Sequence, residues 1–120
     1  MISKPLKTSV RAYEKSAVID LMGDINGSAD DEMNAAFSQA LSLKPNSVVL
    51  NFSGVEYINS TGIALIVGLL ATARQHKVDI LTLGLSDHYR EIFEITRLSD
   101  FMKIVEGDQA TKLVGRGERL

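Results

Sequence analysis

The chain has 120 residues, 45% hydrophobic and 23% charged, which suits one domain around one core and lies outside the composition of disordered or fibrous chains. Lys and Arg number 13 against 15 Asp and Glu, a net charge of −2, so no electrostatic attraction to nucleic acid or to an anionic membrane is expected. With no cysteine, disulfide frameworks, thiolate zinc sites and thiol catalysis are excluded together.

Thr8 to Tyr13 and Ser16 to Met22 read as two strands joined by a tight turn at Glu14 and Lys15, an antiparallel hairpin. A loop is expected over Gly23 to Gly27. Apolar residues then fall at Met33, Ala36, Phe37, Ala40 and Leu41, one face of a helix. Ser28 is the expected cap, Asp30, Asp31 and Glu32 suit the positive end of the helix dipole, and Pro45 is the expected stop. Val48 to Phe52 and Ile80 to Leu83 read as strands, with a helix from Ser60 to His76 between them. That succession implies a parallel pair joined by a right-handed crossover. A third helix runs from Ser86, its expected cap, through Thr96; a short strand around Lys103 to Val105 and a terminal helix from Asp108 follow.

Asp20, Asn51 and Thr82 each interrupt an apolar strand, as expected if one sheet face carries the helices and the other is partly solvated. The N-terminal segment MISKPLKTS has no apolar stretch of signal length, and the apolar run Ile63 to Ala73 is shorter than the roughly 20 residues that span a bilayer. A single domain over 1–120 is expected, with loose ends at 1–5 and 115–120, located in the cytoplasm.

Neither G-x-G-x-x-G nor a phosphate-loop motif occurs. His76 and His88 lack a second ligand at metal-site spacing, so surface histidines are expected and no metal or cofactor is assigned. The informative stretch is Asn59-Ser60-Thr61-Gly62, opening a very apolar helix. Its hydroxyls can cap the helix; the same place also tolerates a phosphate on Ser60 or Thr61, because free N–H groups and the positive dipole end face it. Gly62 is expected to leave room for a partner's backbone beside the hydroxyl.

The run from Val48 to Ile63, VVLNFSGVEYINSTGI, resembles the signature segment of STAS domains, in particular the bacterial anti-sigma factor antagonists. Ile19 to Gly27 resembles the family's second strand and following loop, and Ile92 to Leu98 with Phe101 its third helix and exit. The resemblance implies an α/β STAS fold: a mixed four- to five-stranded sheet with an N-terminal hairpin and helices mainly on one face.

In that family the serine of D-S-[ST]-G is phosphorylated by an anti-sigma factor that is also a serine kinase. The resemblance places Ser60 on that serine, Thr61 on the next hydroxyl and runner-up, and Gly62 on the glycine. Asn59 stands where many relatives have Asp, as does Asn26 in the loop after the second strand. An amide keeps the shape of the carboxylate and drops its charge. The resemblance therefore implies a non-enzymatic anti-sigma factor antagonist, switched off by phosphorylation and reset by a PP2C-type phosphatase. Nucleotide would enter only through the kinase. The expected partner-binding pole comprises Asn26, Ser28, Asn59, Thr61 and Gly62. The alternative is a STAS scaffold or accessory subunit of a transporter or stressosome-like signalling complex, in which the hydroxyl is structural.

Overall fold

A computed structural model describes residues 4–115. Strands β1 (Lys7–Tyr13) and β2 (Ser16–Ile25) make the hairpin; α1 (Asp30–Ser42), β3 (Ser47–Ile58), α2 (Ser60–Gln75), β4 (Asp79–Leu83), α3 (Asp87–Ile95), β5 (Lys103–Ile104) and α4 (Gly107–Gly115) follow. The five strands lie in the order β1-β2-β3-β4-β5, with β1 antiparallel to β2 and the remaining pairs parallel. This is the mixed sheet expected from the sequence. Each parallel crossover steps the same way across the sheet, and right-handed crossovers in one direction must lay their helices on one face. Accordingly α1, α2 and α3 share a core with that face through Phe37, Ile66, Leu69 and Phe93, packed on Ile19, Val48, Leu50 and Phe52. Phe52 and Phe93 meet edge to face, their ring centres 6.1 Å apart.

Several expectations are corrected. The stretch read as a loop from Gly23 belongs to β2, and β3 runs six residues beyond Phe52, because the two strand ends pair with each other from Met22↔Gly54 to Ile25↔Ile58. Gly23 is a bend within the strand, at φ 112°, and a side chain there would lie 2.6 Å from the Pro5 carbonyl oxygen. Gly54 likewise marks a close approach: a Cβ would sit 2.7 Å from Met22 Cγ and 2.8 Å from the Leu21 oxygen. Lys4, placed in an expected loose end, is tied down. Its N–H donates to Asp24 Oδ2 at 3.0 Å, and its carbonyl accepts from the Asp24 N–H at 2.9 Å. Residues 1–3 and 116–120 of those ends lie outside the described residues.

Helix α1 has no side-chain cap; Ser28 lies in a 3-10 turn, Gly27–Ala29, that leads into it and is capped by Asn26. The acidic start of α1 is put to other uses as well: Glu32 accepts from the Thr8 hydroxyl at 2.7 Å, holding the β1 edge, and Asp30 accepts from Asn34. The helix ends at Ser42, before Pro45, as the chain turns through Lys44 at φ 54°. Ser86 caps α3 as expected, accepting from the Tyr89 N–H.

On the second face, Asp20 and Asn51 lie as expected, but Thr82 does not. It follows Ile80 onto the helix-bearing face, fully buried, with its hydroxyl against Met102 sulfur at 3.7 Å. Nor is the second face left to solvent. Helix α4 brings Leu113 onto Val18, Val49, Leu83 and Val105. Arg11 then bridges the layers, Nε donating to Asp20 Oδ2 at 2.7 Å and Nη2 to the Leu113 carbonyl at 2.6 Å, while Asn51 donates to Asp20 Oδ1 at 2.8 Å. Burial pushes the Asp20 carboxyl up, but hydrogen bonds from Arg11 and Asn51, the Arg11 charge and a bond from Ser9 outweigh it and hold the group below its ordinary value.

A carboxyl depressed in the native state adds stability that is present above its unfolded value of about 3.9 and is lost as pH falls through the lower native value. Asp20→Asn should therefore be less stable than the wild type at pH 7, and the gap should close towards pH 2. Denaturation midpoints measured across that range check it; a gap independent of pH would contradict the assignment.

Candidate functional site

The site forms where β2 and β3 end side by side. Residue Asn59 follows β3 in an extended conformation and begins α2: its Oδ1 accepts from the Gly62 N–H at 2.8 Å, and its carbonyl accepts from Ile63 N–H at 2.9 Å. An N-cap needs a short side chain carrying an acceptor, and Asn serves as well as Asp or Ser. Capping is thus done by Asn59, and the hydroxyls of Ser60 and Thr61 take no part in it. Both residues are exposed, and neither hydroxyl enters a hydrogen bond among the described residues. No acidic residue lies in the first turn of α2. The Gly62 and Ile63 N–H groups are occupied, whereas those of Ser60 and Thr61 donate no hydrogen bond among the described residues.

The loop carrying Asn26 is brought to the same pole. Asn26 Oδ1 accepts from both the N–H and the hydroxyl of Ser28, at 3.0 and 2.7 Å. Gly27 lies beside Thr61, with a Cβ there placed 3.4 Å from Thr61 Cγ2. The Asn59 N–H donates to the Ile25 carbonyl at 3.2 Å, joining the two strand ends directly. Asn26, Ser28, Asn59, Ser60 and Thr61 therefore share one surface.

Gly62 does not belong to that surface. It is buried, and the room its missing side chain leaves is filled by the protein itself: a Cβ would fall 2.0 Å from the Ile25 carbonyl oxygen. The expectation that Gly62 admits a partner's backbone is corrected, since α2 needs glycine there to dock on β2. Two residues that hold the site escape a reading by sequence. Tyr89, legible only as an apolar position of α3, accepts the Ile58 N–H on its hydroxyl at 2.8 Å and so fixes the residue preceding Asn59. Ile25, completely buried, supplies the carbonyl on which both Asn59 and Gly62 rest. Neither role leaves a local signal, because both depend on backbone groups far away in sequence.

Comparison with known proteins agrees with this architecture. Residues 8–106 match the family model described as "Mlab, STAS domain". The anti-sigma-B factor antagonist of Staphylococcus aureus is 39% identical over 62 residues, covering 52% of this chain and 57% of that protein. That of Staphylococcus epidermidis is 36% identical over 64 residues, covering 53% and 59%. The chain thus spans little more than half the length of these curated relatives. Among solved structures, an anti-sigma factor antagonist from Mycobacterium paratuberculosis superposes with a TM-score of 0.72 at 16% identity, covering 96% of this chain and 99% of the other. The unphosphorylated anti-sigma factor antagonist SpoIIAA gives 0.67 at 16% identity, covering 95% and 100%. At such identities the likeness is one of fold.

The two supports of the site should differ in weight. Gly62→Ala forces a side chain into a backbone carbonyl and should cost about 3 kcal/mol of stability. Asn59→Ala removes one cap and should cost about 1 kcal/mol. Urea denaturation of the two variants checks this order; a Gly62→Ala protein as stable as the wild type would remove Gly62 from the α2–β2 contact.

Proposed function

We propose, because this chain belongs to the STAS domain family, that it is an anti-sigma factor antagonist that binds a serine-kinase anti-sigma factor and is switched off by phosphorylation of Ser60. The observation that carries the reading is the placement of Ser60: exposed, at the first position of a 16-residue helix, with Asn59 rather than the hydroxyl doing the capping. A hydroxyl with no structural duty can be modified without loss of fold. The phosphate would meet the positive helix end and unoccupied N–H groups on its own chain, so its charge of about −1.5 to −2 would fall on a docked partner. The switch requires no base, metal or phosphate loop on this chain. A PP2C-type phosphatase would restore the binding state, and Asn26, Ser28 and Thr61 would border the contact.

Asn59 distinguishes this site from family members with a carboxylate there. As N-cap it performs the structural part of that residue's work, and without charge it offers no repulsion to an incoming phosphoryl group and no carboxylate to assist the transfer. The second reading, an accessory STAS subunit of a transporter or signalling complex, draws on the same residue and on the "Mlab" description of the matching family model. Under it Ser60 stays unmodified.

Incubation with the cognate kinase and ATP, followed by mass spectrometry, should place phosphate on Ser60 in the wild type and in Thr61→Ala but not in Ser60→Ala. Asn59→Asp, which keeps the cap, should be modified faster. Ser60→Asp should bind the anti-sigma factor more than about 100-fold more weakly, a loss of about 3 kcal/mol. Phosphate confined to Thr61, or full affinity of the Ser60 phosphoform, would overturn the switch; no modification by the true kinase would favour the accessory-subunit reading.

A further inference from the structure

At the far end of α2 from Ser60, about 24 Å away for a helix of 16 residues, lies a groove of about 560 Å³. It falls within the size range of small-molecule sites. The floor includes Leu70, Ala73 and Ile80, all part of the core, and Phe101 stands exposed on the rim. Around this apolar floor stand three exposed cations, Arg74, Lys77 and Lys103. Of the two acids in the lining, Asp100 is held by Arg97 at 2.7 Å, so Asp79 alone opposes them and the groove is net positive.

Lys77 enters that lining at the close of α2. Helix α2 closes with the bonds of a Schellman motif, Val78 N–H to the Ala73 carbonyl at 2.9 Å and Lys77 N–H to the Arg74 carbonyl at 3.2 Å. In that motif the residue after the cap is left-handed and usually glycine. Here it is Lys77, at φ 58°. Lys44 closes α1 in the same conformation, at φ 54°, so this is a recurrent way of ending a helix in the chain; at Lys77 it brings an ammonium-bearing residue into the lining of the groove. The motif also occupies the last carbonyls of the helix, which weakens the negative pole that would otherwise repel an anion.

We propose that this groove binds a small organic anion with an apolar body, its charged group among Arg74, Lys77 and Lys103 and its body against Leu70, Ile80 and Phe101. The site is separate from the Ser60 pole and does not depend on the function assigned there.

Decanoate serves as the probe, with decanol and decyltrimethylammonium as its neutral and cationic counterparts, titrated by calorimetry into the full chain. Decanoate should bind and raise the melting temperature, and the two counterparts should bind at least about tenfold more weakly. Lys103→Glu should weaken decanoate about tenfold. Lys77→Gly separates binding from folding: relief of the left-handed strain should raise the melting temperature by roughly 2–4 °C while decanoate affinity falls. Absence of decanoate binding up to millimolar concentration, equal binding of decanol, or unchanged affinity in both variants would overturn the proposal.

Discussion

The carbonyl of Ile25 is the point on which the pole carrying Ser60 rests. It ends β2, it accepts the N–H of Asn59, and it lies where any side chain at position 62 would have to go. Helix α2 can reach this carbonyl only through glycine, and the reach determines where its first turn stands. Ser60 and Thr61 are outward because Gly62 is inward. The Tyr89 hydroxyl holds Ile58, the residue before Asn59, from the side of α3, so the start of α2 is located by both β2 and α3. A hydroxyl placed in this way needs no hydrogen bond of its own to be fixed in space, which leaves it available for chemistry.

The sheet's two faces solve different problems. The handed crossovers place three helices on one side and leave the other to the polar pair Asp20 and Asn51. Those groups do not face bulk water; α4 covers part of the face, and Arg11 is shared between a carboxylate within the sheet and a main-chain carbonyl of the covering helix. A half-buried ion pair of this kind contributes little as bare Coulomb attraction. Its weight comes from joining layers that also meet through the apolar cluster of Val18, Val49, Leu83, Val105 and Leu113, with Tyr13, Leu81 and Ala110 packed against it.

Much of this was legible in the sequence, and the failures share a cause. The hairpin, the helical periods, the Ser86 cap and the parallel strand–helix–strand unit are local patterns, and local chemistry places them. Gly23 and Gly54 look like chain breakers; each sits inside a strand because another backbone passes close by. Ser28 has the chemistry of a cap, but Asn26 caps a 3-10 turn ahead of α1 and binds Ser28 itself, and α1 begins without a side-chain cap. Thr82 breaks an apolar run as a solvent-facing residue would, yet strand parity turns it inward, where a methionine sulfur accepts its hydroxyl. The NSTG segment announced a helix start but offered its hydroxyls as caps, a role that Asn59 fills. It did not announce that the glycine belongs to the packing, because the atom it avoids lies 37 residues earlier in the chain.

The strand order has a consequence for how the molecule comes into being. Because spatial order repeats sequence order from β1 to β5, no strand has to slip between two that are already paired. The sheet can grow at a single margin, each newly synthesised segment laying down its helix and then its strand against what the ribosome has already released. The hairpin forms the first template from neighbouring residues alone. Every later addition finds its docking edge finished before it emerges, and α4, which follows β5 in the chain, meets a sheet face whose five strands are already in place.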